Sequence, residues 1–547
     1  MMISNWIARL AMLAAAGFAA VIPGQASTPA QPDVDRSATN IRSHMNFLAS
    51  DLLQGREAGS DGYQIAAEYV ASHLAQFGAT PAGENGTYFQ TVPMVAYRPA
   101  EHGSLALRKK SGAVENLEFG KDFLPGRHPT TAELTLDAPA VFVGYGVVAP
   151  ERGRDDYKGL DVRDKLVVVL SGAPSSFPGE ERAYYGSGGT KRMEAERRGA
   201  KGIVIVNTPS DEKRRPFESS VKQWQAWGMS WEEKDGTSHD VARKTPVIAS
   251  ISAAGAPKLF AGSRVKWDRI VADAEKPAGS PARFELPLSI EVSLRTEQQR
   301  TTSVNVAGLI EGSDAVLKKE VVVLMAHLDH IGLTPGEDDP INNGAIDNAA
   351  GVATLLEVAR AFQASGRPAR RSILILAVTA EEKGLVGSDY FARHPTVSSE
   401  SLSAVVNLDM PVLTYDFTDV VAFGAGRSTI EAAVLGASQR VGVALSPDPL
   451  PEEGVFTRSD HYRFVQQGVP SIMLMTGFQN GGQQHFSNFL KSCYHKPCDD
   501  LSLPINYAAG AKFARLNYEI ARELANSDER ARWNAGDFFA TKYAEAR

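Results

Sequence analysis

The chain has 547 residues, so more than one domain is expected. Its 43% hydrophobic and 22% charged residues are the proportions of a soluble globular protein. A formal net charge of −7 at pH 7 argues against nucleic acid and against an anionic membrane surface as partners.

The first 26 residues have the pattern of a secretory signal peptide. Arg9 precedes a short apolar run at 10–22, and the small residues Gly24 and Ala26 follow it. The run is too short to span a bilayer comfortably, so cleavage after Ala26 is expected, with no membrane insertion afterwards. The mature protein is therefore predicted to be exported, either periplasmic or secreted.

Residues 27–129 are predicted to form the N-terminal part of a main domain. The segment 36–79 is helical in pattern, with a Gly-rich interruption near its middle. Ser60 is placed to cap the second helix, and Gly78 to end it. An edge strand is expected at 87–97.

A small strand-rich domain is predicted at 130–285. Short Val/Ile-rich runs are separated there by charged, Gly-rich loops. The expected strands are 139–148, 165–172, 202–207 and 245–251, with one helix at 190–200. Its sequence contains no cluster of histidines and acids, so the chemistry is expected elsewhere.

Residues 286–547 alternate apolar strands with helices. The expected strands are 321–326, 372–378, 403–409, 419–425 and 470–476, and the expected helices are 347–364, 384–394 and 506–526. This alternation predicts an α/β fold with a mostly parallel sheet covered by helices on both faces. The helical N-terminal part is expected to pack against it, which makes 130–285 an insertion.

Residues that can bind a metal stand at the ends of these strands. They are His327, Asp347, Glu381, Glu382 and Asp409, and His495 follows them between the chain's two cysteines. Because the carboxyl ends of parallel strands meet at one edge of a sheet, these side chains are expected to converge. Imidazole and carboxylate are zinc ligands, so the pattern predicts a metal site.

Each of these residues also has a plainer interpretation. Asp347 alone could be a helix cap, and paired glutamates are commonly a solvated helical turn. His330 forms an H-x-x-H pair with His327, but on a loop this spacing means little, and His330 is left out of the predicted site. His461 and His485 are interpreted as structural or rim residues.

Five motifs follow one another along the chain: HLDH (327–330), GAIDNAAG (344–351), TAEEKGLVGS (379–388), NLDM (407–410) and YHKPCD (494–499). In this order they resemble the motifs of the M28 family of dizinc aminopeptidases. The resemblance implies a zinc exopeptidase-like fold and two Zn²⁺ ions per chain. The implied ligands are His327, Asp347, Glu382, Asp409 and His495, with Asp347 bridging.

The resemblance also implies catalytic roles. Glu381 would be the general base, and Tyr494 would steady an oxyanion, as a tyrosine does in the carboxypeptidase branch of the family. Asp329 is placed to accept the second N–H of His327, and Asp499 could do the same for His495.

Two further features complete the sequence-based interpretation. Cys493 and Cys498 are the only cysteines. In an oxidising compartment a disulfide is expected to fix the loop carrying Tyr494 and His495, and two free thiols are the alternative.

The inserted segment, through GYGV, DKLVVVLSG and AERRGAKGIVIVN, resembles a protease-associated (PA) domain.

Three functions are compatible with this pattern. The first is an exported aminopeptidase acting on peptides, because a site rich in carboxylates suits a free ammonium group. The second is a carboxypeptidase or glutaminyl cyclase on the same fold, although only about fifty residues follow His495, whereas the carboxypeptidase branch typically carries a further helical domain. The third is a non-catalytic, receptor-like scaffold, which the complete ligand set disfavours. The oligomeric state and the side-chain preference stay open.

Overall fold

The structure is a computed structural model that describes residues 34–336 and 338–544. The predicted signal peptide, residues 1–26, lies outside the described residues. Within the described part of the chain, no helix combines the length and the apolar character needed to cross a membrane.

The described chain contains both strands and helices, and they alternate most regularly from β14 onward. The strands are β1 Thr80–Pro81, β2 Phe89–Pro99, β3 Ser104–Lys109, β4 Val114–Asn116, β5 Phe123–Pro125, β6 Glu133–Phe142, β7 Val148–Ala149, β8 Arg154–Asp155, β9 Leu166–Leu170, β10 Gly202–Val206, β11 Gly228–Trp231, β12 Val247–Ile251, β13 Phe284–Ile310, β14 Val321–His327, β15 Ser372–Val378, β16 Leu402–Leu408, β17 Asp419–Phe423, β18 Ala444–Ser446 and β19 Ser471–Thr476. The helices are α1 Val34–Leu48, α2 Asp61–Gln76, α3 Gly179–Gly186, α4 Gly188–Arg197, α5 Pro209–Arg214, α6 Phe217–Lys222, α7 Ala256–Leu259, α8 Trp267–Ala274, α9 Ala350–Ala364, α10 Val386–Arg393, α11 Ile430–Val441, α12 His461–Val465, α13 Gly482–Ser492 and α14 Tyr507–Asn526.

The first sheet has parallel strands at its centre. β15, β14, β16 and β19 lie side by side and run parallel. Antiparallel strands flank them, with β13 beside β15 and β17 beside β19. The predicted α/β fold is confirmed, in a large mixed sheet. The prediction of an edge strand at 87–97 is wrong, because β2 pairs with β13 on one side and with β11 on the other.

Helices cover both faces of this sheet, as expected. Alternate residues of β14 point to opposite faces. Val322 and Leu324 join a core with α1, α2, α9, α11 and α14, whereas Val323 joins a core with Phe391 of α10 and Phe464 of α12. Burial on both faces explains why β14 is an uninterrupted apolar run.

A second sheet forms around the first half of β13. It contains β3, β4, β5, β6, β9, β10 and β12. β3 to β5 precede the predicted boundary at 130, and the pairing of β13 with β6 continues to Arg295, beyond the boundary at 285. The division at 130 and 285 and the PA assignment stay predictions.

The long strand β13 belongs to both sheets. Its residues 284–295 pair with β6 and its residues 296–306 pair with β2. A continuous strand holds the second sheet in a fixed position beside the first. Residues of the predicted insertion can therefore lie at a fixed place near the predicted metal-binding residues.

The N-terminal helices follow the sequence signals. The Ser60 side chain accepts a hydrogen bond from the Tyr63 amide at 3.2 Å at the start of α2. Gly78 follows the end of α2 with φ +76°, a conformation that glycine adopts without strain. Both predicted helix boundaries are confirmed.

Candidate metal centre

The predicted metal-binding residues meet at the carboxyl edge of the parallel strands. His327 is the last residue of β14, and Asp409 directly follows β16. Glu381 and Glu382 follow β15 after a short turn, and Asp347 lies just before α9. Since β15, β14 and β16 are parallel neighbours, their ends bring these side chains together.

A first group consists of His327, Asp347 and Asp409, all buried. His327 Nε2 lies 3.3 Å from Asp347 Oδ1 and 3.2 Å from Asp409 Oδ1. Two donor atoms bound to one tetrahedral zinc ion at its usual bond lengths lie about 3.3–3.4 Å apart. The spacing therefore fits one ion held between these side chains.

A second group uses the other oxygen of Asp347. His495 Nε2 lies 3.3 Å from Asp347 Oδ2 and 3.0 Å from Glu382 Oε2. Asp347 thus offers one oxygen to each group. A carboxylate shared in this way is what a pair of neighbouring ions needs, so the residues present fit two ions.

His330, which sequence reasoning left out, lies within this centre. It is fully buried, and its Nδ1 lies 2.7 Å from Glu382 Oε1 and 4.0 Å from Asp347 Oδ2. Sequence reasoning set it aside as a loop histidine, whereas the loop folds so that His327 and His330 face neighbouring carboxylates. The H-x-x-H spacing was the signal that could have identified it.

Asp329 supports the centre through different contacts from those predicted. The group that faces His327 Nδ1 is the main-chain carbonyl of Asp329, at 3.1 Å, while its carboxylate is 4.0 Å away. The carboxylate instead accepts hydrogen bonds from the amide N–H groups of Glu381 and Glu382, at 3.1 and 3.3 Å. Asp329 therefore fixes the backbone of the two glutamates.

Asp499 also has a different partner from the one expected. Its carboxylate accepts hydrogen bonds from the backbone amides of Ile346 and Asp347, at 2.8 and 3.0 Å. Asp499 therefore holds the backbone that presents Asp347, where sequence reasoning assigned it to His495.

The two predicted catalytic side chains line one cavity beside the first group. This cavity, of about 630 Å³, is lined by Glu381 and Tyr494 together with His327, Asp347 and Asp409. Burial raises the pKa of Glu381 well above its ordinary value; His327 opposes the shift and Asp409 adds to it. Burial and the nearby Asp347 also raise the pKa of Tyr494, so its hydroxyl keeps its proton.

The charges of the second group depend on one another. Burial alone would raise the pKa of Asp347 and of Glu382, but hydrogen bonds from histidines lower it, to about 2 for Glu382. Burial alone would lower the pKa of His495, yet the same carboxylates raise it to about 10. The carboxylates are thus kept in the ionised form that a metal ion requires.

The cysteines enclose the loop that carries Tyr494 and His495. Their sulfur atoms are 2.20 Å apart and their Cα atoms 5.1 Å apart, a disulfide pairing. The Tyr494 ring stacks on the His495 ring with centroids 3.8 Å apart. A short closed loop therefore presents both side chains to the centre.

Other residues support the centre without having been predicted. Arg56 is fully buried and donates to the carbonyls of Leu328 and Gly344, at 3.0 and 3.1 Å, so it ties together the loops after β14 and before α9. Ser459 donates a hydrogen bond to Asp409. No local sequence pattern identifies either residue, because their contacts join segments that are far apart in the chain.

His461 and His485 lie outside both groups, in keeping with their interpretation as structural or rim residues. His461 packs against Phe456, and the Nδ1 of His485 lies 2.8 Å from the hydroxyl of Thr414.

Comparison with known proteins agrees with the motifs. The family model described as peptidase family M28 matches residues 305–521. Aminopeptidase Y of Saccharomyces cerevisiae is 28% identical over 186 residues, covering 33% of this chain and 32% of that protein. Aminopeptidase YwaD of Bacillus subtilis is 32% identical over 252 residues, covering 45% and 48%. Aminopeptidase NAALADL1 of Rattus norvegicus is 23% identical over 481 residues, covering 76% and 57%.

The chain thus spans between a third and somewhat more than half of the length of these curated relatives. Among solved structures, the aminopeptidase from Aneurinibacillus sp. strain AM-1 superposes with a TM-score of 0.52 at 20% identity, covering 92% of this chain and 96% of that one. At this identity the likeness concerns the fold, which it supports over nearly the whole chain.

Proposed function

We propose that this chain, whose residues 305–521 match the model of peptidase family M28, is an exported metallo-aminopeptidase that uses two zinc ions to remove amino-terminal residues from peptides. The observation that carries the proposal is the position of Asp347, whose two oxygens face separate histidine–carboxylate groups. A metal pair sharing one carboxylate is a common arrangement for hydrolysis.

The ligand assignment follows the two groups. His327, Asp347 and Asp409 would hold one ion, and Asp347, Glu382 and His495 would hold the other. His330 would orient Glu382 through its hydrogen bond, leaving the other Glu382 oxygen for metal.

The chemistry would be shared between the ions and the cavity residues. Bound zinc supplies an acidified water and polarises a carbonyl. Glu381, with its pKa raised by burial, is suited to take a proton from the attacking water and to pass it to the leaving amine. The protonated Tyr494 hydroxyl can donate a hydrogen bond to the oxyanion.

Two contacts favour the amino end of a peptide as the group that is bound. Lys383 and Lys496 lie within two of the five motifs and are candidate receptors for a terminal carboxylate. Lys383 is paired with Glu57 at 2.7 Å, and Lys496 donates to the carbonyl of Lys491 at 3.0 Å. The carboxylates of the centre remain suited to an ammonium group.

A carboxypeptidase is the second candidate, because arginines line the same cavity: Arg214, Arg215 and Arg458. Guanidinium groups bind carboxylates well, so a chain's carboxyl end has potential partners there.

One experiment separates these functions. Leucine amide and leucine-initiated pentapeptides should be hydrolysed from the amino end, activity should disappear on chelation, and zinc should restore it. Acetylating the α-amine should abolish turnover. Cleavage of the acetylated peptide at its carboxyl-terminal bond would establish the carboxypeptidase instead, and zinc binding without hydrolysis of any peptide would favour the scaffold.

A further inference from the structure

The outer part of the active-site cavity is basic. Besides the residues of the metal centre, its ionisable lining side chains are Arg214, Arg215, Glu453, Arg458 and Lys491. The side chains of Arg214, Arg215 and Arg458 are 45%, 67% and 48% exposed, so they lie on the solvent side of the cavity. Four cationic side chains there accompany one carboxylate among the described lining residues.

Local ion pairing leaves this positive charge incompletely neutralised. Glu453 Oε2 lies 3.0 Å from Arg215 and 3.5 Å from Arg458, so one carboxylate is shared by two guanidinium groups. Arg214 pairs with Asp211 at 2.8 Å. Such exposed pairs are weak and exchange easily, so the guanidinium groups can bind a carboxylate from a ligand.

The basic groups come from two parts of the chain. Arg214 and Arg215 lie at the end of α5, within the predicted insertion at 130–285, whereas Arg458 and Lys491 belong to the part that forms the metal centre. The Arg215–Glu453 ion pair joins the two parts at the cavity. The insertion therefore contributes directly to the surface that a substrate meets.

The length of a peptide residue indicates which part of a substrate reaches these groups. A peptide with its first residue at the metal centre extends outward by about 3.3–3.6 Å per residue, so its second and third residues lie toward the solvent side. The cavity of about 630 Å³ has the size of a small-ligand pocket and suits a few residues.

We propose that Arg214, Arg215, Arg458 and Lys491 form a basic subsite that selects peptides carrying a carboxylate close behind the scissile bond. The carboxylate is either an acidic side chain at the second or third residue or the free carboxyl end of a di- or tripeptide. This inference rests on the proposed aminopeptidase function, because it assumes that the amino end occupies the metal centre.

Matched peptides separate the two sources of the carboxylate. Leu-Asp-Gly-amide, Leu-Asn-Gly-amide and Leu-Lys-Gly-amide differ at the second residue, and Leu-Gly-Gly and Leu-Gly-Gly-amide differ at the carboxyl end. For the purified enzyme we expect kcat/KM to be about two- to fivefold higher for Asp than for Asn, and lowest for Lys. The preference should shrink in high salt, because the groups are exposed.

Two variants test the residues in opposite directions. Replacing both Arg214 and Arg215 by Gln should clearly lower the Asp/Asn ratio, although Arg458 and Lys491 remain. Glu453→Gln, which removes the shared carboxylate, should raise the ratio. The matched control is Arg197→Gln, an exposed arginine of α4 that does not line the cavity, and it should leave the ratio unchanged. Zinc content should stay the same in all three, and Arg197→Gln should also leave the turnover of leucine amide unchanged.

The outcomes distinguish this inference from the proposed function. If the wild type hydrolyses all five peptides from the amino end at equal kcat/KM, the basic subsite is wrong and the aminopeptidase stands. If it hydrolyses none of them, or removes the carboxyl-terminal residue, the proposed function fails. An Asp/Asn ratio that the double substitution leaves undiminished also overturns the subsite.

Discussion

Glu381 and Glu382 are adjacent in the chain, yet their side chains have different surroundings. Glu382 contacts His330 and His495, while Glu381 lines the cavity with Tyr494. Both amides bond to the carboxylate of Asp329, which fixes the turn so that the two side chains diverge. Adjacent residues can therefore divide metal binding and proton transfer between them.

This divergence gives opposite expectations for two equivalent substitutions. Glu381→Gln should keep its zinc but lose about 10²–10⁴-fold in kcat, the usual contribution of a general acid–base group. Glu382→Gln should lose zinc, because the substitution weakens a proposed ligand of the second group. Elemental analysis beside kinetics measures both effects. Full zinc in Glu382→Gln combined with zinc loss in Glu381→Gln would show that the roles are exchanged.

At the scale of an element, the loop between Cys493 and Cys498 positions part of the centre. His495 has φ +56°, a conformation that side-chain-bearing residues adopt infrequently. The loop must hold this conformation for Nε2 to reach both Asp347 and Glu382. A bond between the cysteines restricts the loop to few alternatives.

We expect no titratable thiol in unfolded, unreduced protein purified from the exported fraction. Replacing both cysteines by serine should weaken zinc retention by about tenfold, the lower range for a group that orients a ligand. Competition with a chelator measures this retention. Two free thiols in the exported protein, or unchanged retention in the variant, would contradict the role of the loop.

At the scale of the whole molecule, partly buried charges attach the predicted insertion to the part of the chain that forms the metal centre. Arg427, which follows β17, pairs with Glu180 of α3 and, at 3.0 Å, with Asp537 near the C-terminus. Its side chain is 18% exposed. Burial raises the pKa of Glu180, and Arg427 opposes that shift. Three distant segments thus depend on one guanidinium group.

Arg427→Met should leave two partly buried carboxylates without their cation and destabilise the fold by about 2–3 kcal/mol, somewhat less than for a fully buried pair. The melting temperature should fall by several degrees at pH 7. The loss should shrink toward pH 5, because unpaired buried carboxylates take up protons at higher pH and lose their charge. Arg197→Gln, which breaks an exposed pair, should change the melting temperature little. An equal loss in both variants would contradict this anchoring role.

The sequence by itself determined the α/β order and which metal-binding residue types stand at the strand ends. Apolar periodicity is a local property, so β14, β15, β16 and α14 were found close to their true bounds. Strand direction then determines where residues at strand ends meet, so the convergence of His327, Asp347 and Asp409 followed from the pattern.

The tertiary structure alone decided which polar group meets which. Asp329 and Asp499 were correctly placed near the centre but were given the wrong partners, because a hydrogen bond depends on side-chain direction within a loop. The contacts of His330 and Arg215 could be identified only in the folded chain, because they join segments separated by long stretches of sequence. Such contacts depend on how the two sheets and their loops pack, and no local pattern in the sequence encodes that packing.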